Sequence, residues 1–128
     1  MAIGFAKRVF QIAAIWGLFV LSLAYGGYLF GIEGATIDAD RPEIVHGFFL
    51  VTLAWQVAFL FIATDPARYR LLMLAAMLEK FPFTLVVLVL YANGQVPVTM
   101  LALGLIDGVL GALFSVAYIW TDPATATE

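Results

Sequence analysis

Near the middle of an otherwise apolar stretch the chain places Glu79-Lys80-Phe81-Pro82, between the greasy runs 71–78 and 83–90. A carboxylate beside an ammonium can form an ion pair, trade a proton or hold the polar group of a ligand. In hydrocarbon each ionised group costs roughly 2.5–3.5 kcal/mol, so both need partners or a wet cavity. Asp107, in the last apolar stretch, is the one other carboxylate set as deep in the sequence. Gln56 and Ser22 supply polar groups in the two remaining stretches. With a helical rise of about 1.5 Å per residue, Glu79, Lys80, Asp107, Gln56 and Ser22 fall roughly 12–18 Å from one membrane face. All four stretches thus contribute to one polar slab near the bilayer centre.

Consecutive residues point about 100° apart around a helix, so Glu79 and Lys80 are expected to diverge. That assigns Lys80 to Asp107 and sends Glu79 towards Gln56, Ser22, water or a proton. Pro82 lacks an N–H and crowds the carbonyl of Leu78, which predicts a kink and a free acceptor beside the charges. Two readings follow. In one, a Lys80–Asp107 pair and a Glu79–Gln56 hydrogen bond fix helix register and nothing more. In the other the slab is a pocket that binds a ligand or handles protons, the default role of ionisable groups inside a membrane.

His46, the single histidine, lies one turn into the second stretch, close to Glu43. Histidine titrates near neutrality and so could relay protons inward, although contact with headgroups or water is the plainer role. One histidine cannot supply both axial ligands of a haem, and His46 with Glu43 makes an incomplete metal site. No metal and no cofactor are therefore predicted. The chain has no cysteine, which removes thiol–disulfide exchange, c-type haem attachment and cysteine-ligated zinc. No nucleophile–base set, phosphate-cradling glycine loop or paired-carboxylate signature occurs at recognisable spacing.

The elements that carry these residues are legible from composition. Hydrophobic residues make up 64% of the 128 positions and charged residues 12%, with a mean hydropathy of +1.03. Such a balance belongs to an integral membrane protein. The formal net charge of −3 and the lack of a basic run argue against nucleic acid as a partner. Four apolar spans are predicted, at residues 9–30, 44–63, 71–91 and 98–120, each matching the roughly 20 residues a spanning helix needs. Glycines, acids and Pro42 break the chain after the first span, and Asn93-Gly94-Gln95-Val96-Pro97 breaks it before the last. Thr64 or Asp65 is placed to cap the third helix, with Pro66 in its first turn.

Short connections make neighbouring helices antiparallel, so the expected fold is all-α: a membrane-embedded up-down four-helix bundle, a single transmembrane domain over residues 1–128. Gly104 and Gly108 form a G-x-x-x-G pair that favours close helix packing. Lys7, Arg8, Arg68 and Arg70 fall on one side and Arg41 on the other. The positive-inside rule then places both termini in the cytoplasm and the acidic first loop, with Glu33, Asp38, Asp40 and Glu43, outside. Lys7-Arg8, the apolar run and Ser22-Leu23-Ala24 imitate a cleavable leader. The run continues to Phe30, so an uncleaved first helix is expected, followed at the far end by a frayed tail over 121–128.

The segment His46-Gly47-Phe48-Phe49, through Asp65-Pro66-Ala67-Arg68-Tyr69-Arg70, to Leu78-Glu79-Lys80 resembles small bacterial four-helix membrane proteins of the DoxX-like kind. Asp107-Gly108-Val109-Leu110-Gly111 is similar to their last helix. The resemblance implies the four-helix fold, the bacterial inner membrane and an association with membrane redox systems, without a defined active site.

Together these readings describe a small polytopic protein whose first partner is the lipid bilayer. The expected role is a non-enzymatic accessory subunit, or a binder of a hydrophobic small molecule such as a lipid or quinone. A membrane-protein partner or a second copy would fit the first role. The alternatives are a membrane isomerase with Glu79 and Asp107 as acid and base, or a proton pathway that only an oligomer could enclose.

Overall fold

A computed structural model describes residues 1–32 and 40–124. Glu33 and Asp38, counted above in the acidic loop, and the end of the expected tail (125–128) lie outside the described residues. Among the described residues the chain is all-helical: α1 (Ala2–Leu29), α2 (Pro42–Thr64), α3 (Arg70–Ala92) and α4 (Val98–Trp120). Each helix is long and apolar enough to cross a membrane, and a helix is the form in which a spanning segment satisfies its own backbone groups. Exposed apolar side chains cover the outer faces, among them Ile12, Ile15, Phe19, Leu78 and Val109. Such a surface suits hydrocarbon rather than water.

The helices start and stop where local chemistry directs. Gly31 and Gly94 adopt φ of +60° and +69°, a conformation only glycine takes without strain. Each closes a Schellman motif. After α1 the N–H of Ile32 donates to Gly27 O at 3.0 Å, and that of Gly31 to Tyr28 O at 3.3 Å. After α3 the N–H of Gln95 donates to Leu90 O and that of Gly94 to Tyr91 O, both at 2.9 Å.

Two boundaries differ from expectation. Helix α1 begins at Ala2, not near residue 9, because the backbone stays helical beyond the apolar run, through Lys7 and Arg8. Its 28 residues reach about 42 Å, more than the roughly 30 Å hydrocarbon core. Helix α3 begins at Arg70 with Tyr69 as its cap residue, so neither Thr64 nor Asp65 caps it. Asp65 instead accepts the N–H of Arg68 at 3.2 Å, and its carbonyl accepts that of Tyr69 at 3.1 Å. These bonds close a separate turn around Pro66.

The bundle is built from two tight hairpins, α1–α2 and α3–α4, joined along an α1–α4 seam; of the helix pairs that touch, α2 and α3 approach each other least. The end that carries the termini is closed by Phe5 against Trp120, with ring centroids 5.0 Å apart. Arg70 helps close it by donating to Tyr118 O at 3.1 Å and pairing with Asp122 at 3.0 Å. In this terminal half sits the apolar core. Phe10 stacks on Phe114 at 4.3 Å, and Phe59 packs edge-on to both. Ala6, Ala13, Met73, Ala76 and Ala117 fill in around the three rings.

Candidate functional site

Directly beside Phe59 the core turns polar. Helix α3 carries Lys80 inward, on the same face as Met73, Ala76 and Val87, all buried. Its Nζ lies 5.5 Å from the centre of the Phe59 ring. Nζ donates to Asp107 Oδ1 at 3.1 Å and, more weakly, to Glu79 Oε1 at 3.5 Å. Glu79 Oε2 is nearer, at 3.0 Å from Nζ, but is buried and accepts no aligned hydrogen bond. The lysine therefore joins two carboxylates from two helices into one ion trio. With all three groups ionised the trio carries one excess negative charge.

The expected separation of Glu79 from Lys80 is thus corrected. The 100° rule places Cβ atoms, but four methylenes let the ammonium swing back to its own neighbour while still reaching α4. Gln56 does not bond Glu79 either. Its Nε2 donates to Thr52 O, one turn back on α2, at 3.0 Å. Its buried Oε1 has no hydrogen-bond donor and points at Gly17 of α1, where a Cβ would overlap the amide. With only hydrogen on Gly17 Cα, α1 and α2 close over the amide. Ser22 is exposed on the outside of α1 and belongs to neither group. The polar slab is therefore two separate clusters and a lipid-facing hydroxyl.

Helix packing positions the trio. Gly104, Gly108 and Gly111 turn their bare Cα atoms to α3, where added Cβ atoms would stand 2.8 Å from Val87, 3.0 Å from Thr84 and 2.9 Å from Phe81. The small-residue stripe of α4 is thus spent on its own hairpin, bringing Asp107 within reach of Lys80. Helix α3 runs unbroken through Pro82. Thr84 stitches the two helices, its hydroxyl hydrogen shared between Lys80 O at 3.1 Å and Gly104 O at 2.8 Å. Two turns below, Ser115 donates to Gly111 O at 2.9 Å, with Met77 Sδ at 3.0 Å.

Exposure separates the three members. The Lys80 side chain is 6% exposed, Glu79 18% and Asp107 19%. The cation is sealed, while both carboxylates keep some accessible surface. Helical spacing sets the Glu79 Cβ on the same side of α3 as Leu72 and Phe83, while its carboxylate turns back to Lys80; α3 and α2 form the loosest seam of the bundle. A shallow apolar groove runs along the outer face of α3 past Leu74, Leu78, Phe81, Pro82 and Leu85. Neither carboxylate lines it.

His46 stands apart near the other end. Its Nδ1 bonds the Tyr25 hydroxyl at 2.7 Å, and the Tyr25 and Tyr28 rings meet it edge-on at 5.7 and 5.6 Å. Tyr25 also stacks on Phe49 at 4.9 Å. These contacts hold α1 to α2 near the loop end and do not extend to the trio.

Sequence reasoning passed over Thr84, Phe59 and Gly17. Thr84 had a signal, one turn after Lys80 on the same face. Phe59 and Gly17 had none, since their roles depend on which helix faces which. The chain matches no family model, no curated protein and no solved structure.

Proposed function

We propose that this protein is a non-enzymatic membrane bundle that binds a hydrophobic small molecule, with the Glu79–Lys80–Asp107 trio as the polar anchor of the site. The observation that carries this reading is the surplus carboxylate. A structural strut across α3 and α4 needs one acid for Lys80, and Asp107 supplies it at 3.1 Å. Glu79 adds a second negative charge, its Oε2 3.0 Å from the Lys80 ammonium but accepting no aligned hydrogen bond, on a helix whose seam with α2 is the least packed. A buried charge without full compensation is costly, so its presence favours a role outside the fold. The membrane supplies apolar ligands laterally, along the exposed faces of α2 and α3. The placement of Lys7, Arg8, Arg68 and Arg70 supports an inner-membrane orientation with the termini cytoplasmic. The DoxX-like resemblance belongs to the same proposal.

Isomerase chemistry is the weaker reading, because Lys80 stands between the two acids and holds both. A proton path from His46 is weaker still, because that residue is tied to Tyr25 at the loop end.

Native mass spectrometry of the full chain released from membranes tests the binder reading. A retained apolar small molecule is expected on the natural protein and lost from the triple variant Glu79→Gln, Lys80→Met, Asp107→Asn. If the triple variant keeps the molecule, the trio is not the anchor. If the natural protein carries none and the variant is simply more stable, the trio is a strut alone.

A further inference from the structure

We infer that the ligand is a lipophilic organic monocation, an ammonium or phosphonium with an apolar body, which enters between α2 and α3 and displaces a proton from the trio. The inference rests on the binder reading above and adds the charge class of the ligand. Three ionised groups leave a net charge of −1. In a low-dielectric interior either a proton or a second cation cancels it, whereas a neutral hydrogen-bond donor does not. Two occupants that satisfy the same deficit must compete: the protonated trio plus the organic cation gives the cation-loaded trio plus one released proton.

Geometry sets where the second cation sits. Lys80 is sealed on the core side against Phe59, so a newcomer meets the carboxylates from their accessible side. Glu79, 18% exposed, accepts only a long bond from Lys80 at 3.5 Å, and its Oε2, 3.0 Å from the ammonium, accepts no aligned one. Helical spacing puts the apolar Leu72 and Phe83 on the side of α3 that carries the Glu79 Cβ, and the seam of α3 with α2 is the loosest of the bundle. Among the described residues no rival charge faces the site. Helix α2 has no ionisable residue after His46, α1 has none between Arg8 and Tyr25, and α4 offers Asp107 alone at this level. The electrostatic balance is therefore settled by Glu79, Lys80 and Asp107.

Titration calorimetry on the full chain in lipid nanodiscs tests this with two aryl probes of similar bulk. Tetraphenylphosphonium is expected to bind, releasing about one proton per cation, and to weaken by up to about tenfold per unit of acidification where the proton competes. Neutral triphenylphosphine oxide is expected not to bind. Glu79→Gln and Asp107→Asn each make the trio neutral and should abolish phosphonium binding; the pair of variants guards against one of them misfolding. Lys80→Met removes the internal competitor and should tighten it. Ser22→Ala, on the lipid face, should change nothing. Equal binding of the neutral probe, weakened alike by Glu79→Gln but without proton release, would overturn the cation inference and leave the binder reading standing. If neither probe binds while native mass spectrometry still finds a retained apolar molecule, the cation inference alone fails. With no retained molecule, both fail.

Discussion

Gln56 in the α1–α2 hairpin and Lys80 in the α3–α4 hairpin are both buried polar residues; Gly17 of the facing helix makes room for Gln56 itself, whereas the α4 glycines meet Val87, Thr84 and Phe81, the neighbours of Lys80. Gln56 is neutral and 1% exposed. Its amide bonds its own helix, and its remaining acceptor is pressed onto Gly17, where a weak Cα–H contact is the available partner. Nothing about that cluster is open. Lys80 is equally enclosed, yet it gathers two carboxylates that stay partly accessible and overbalance its charge. The first cluster is shaped by packing and the second by charge. Burial alone therefore does not mark a functional residue in a membrane bundle; on the reading proposed above, an unmet electrostatic demand does.

The comparison breaks first at Lys80. Replacing it by alanine strands two carboxylates and should destabilise the bundle by about 3–5 kcal/mol. Unfolding by denaturing detergent measures this, and a further exchange of both acids for their amides should recover most of the loss. A cost under about 1 kcal/mol would mean the trio is not mutually dependent.

On the α1–α2 side, Gly17→Ala should cost about 1–3 kcal/mol, as overpacking does. Adding Gln56→Ala should relieve part of it, because the two residues share one contact. Independent, additive losses in the same unfolding assay would show that Gln56 does not rest on Gly17. Neither change should alter retention of the apolar molecule proposed above.

The smallest effect is expected at the loop end. Tyr25→Phe removes the bond to His46 while keeping the ring stacked on Phe49, a loss of about 0.5–1.5 kcal/mol. Hydrogen exchange should show the loosening confined to the ends of α1 and α2 that meet there. Ligand loss from this variant would tie His46 to the trio and merge what are here separate regions.

Much of this was legible beforehand. Four apolar runs long enough to span, with glycine and proline between them, already specify an antiparallel bundle, because hydropathy and turn chemistry are local properties of the chain. The depth of Glu79, Lys80, Gln56 and Asp107 follows from counting along a helix of known rise. Which of them meet does not. Ser22 shares their depth but faces outward, since depth is read along the helix axis and direction depends on packing around it. Glu79 stays with Lys80 because a long side chain can overrule the angle at which its backbone points. The glycines of α4 close one seam and leave the α2–α3 seam loose, a choice made by the fit of whole helices. By itself the sequence determined that there are four helices and, the start of α1 apart, where each runs, together with the level of each polar group. The tertiary structure decided which groups touch and which seam stays open, because those depend on residues far apart in the chain and on how tightly their helices approach.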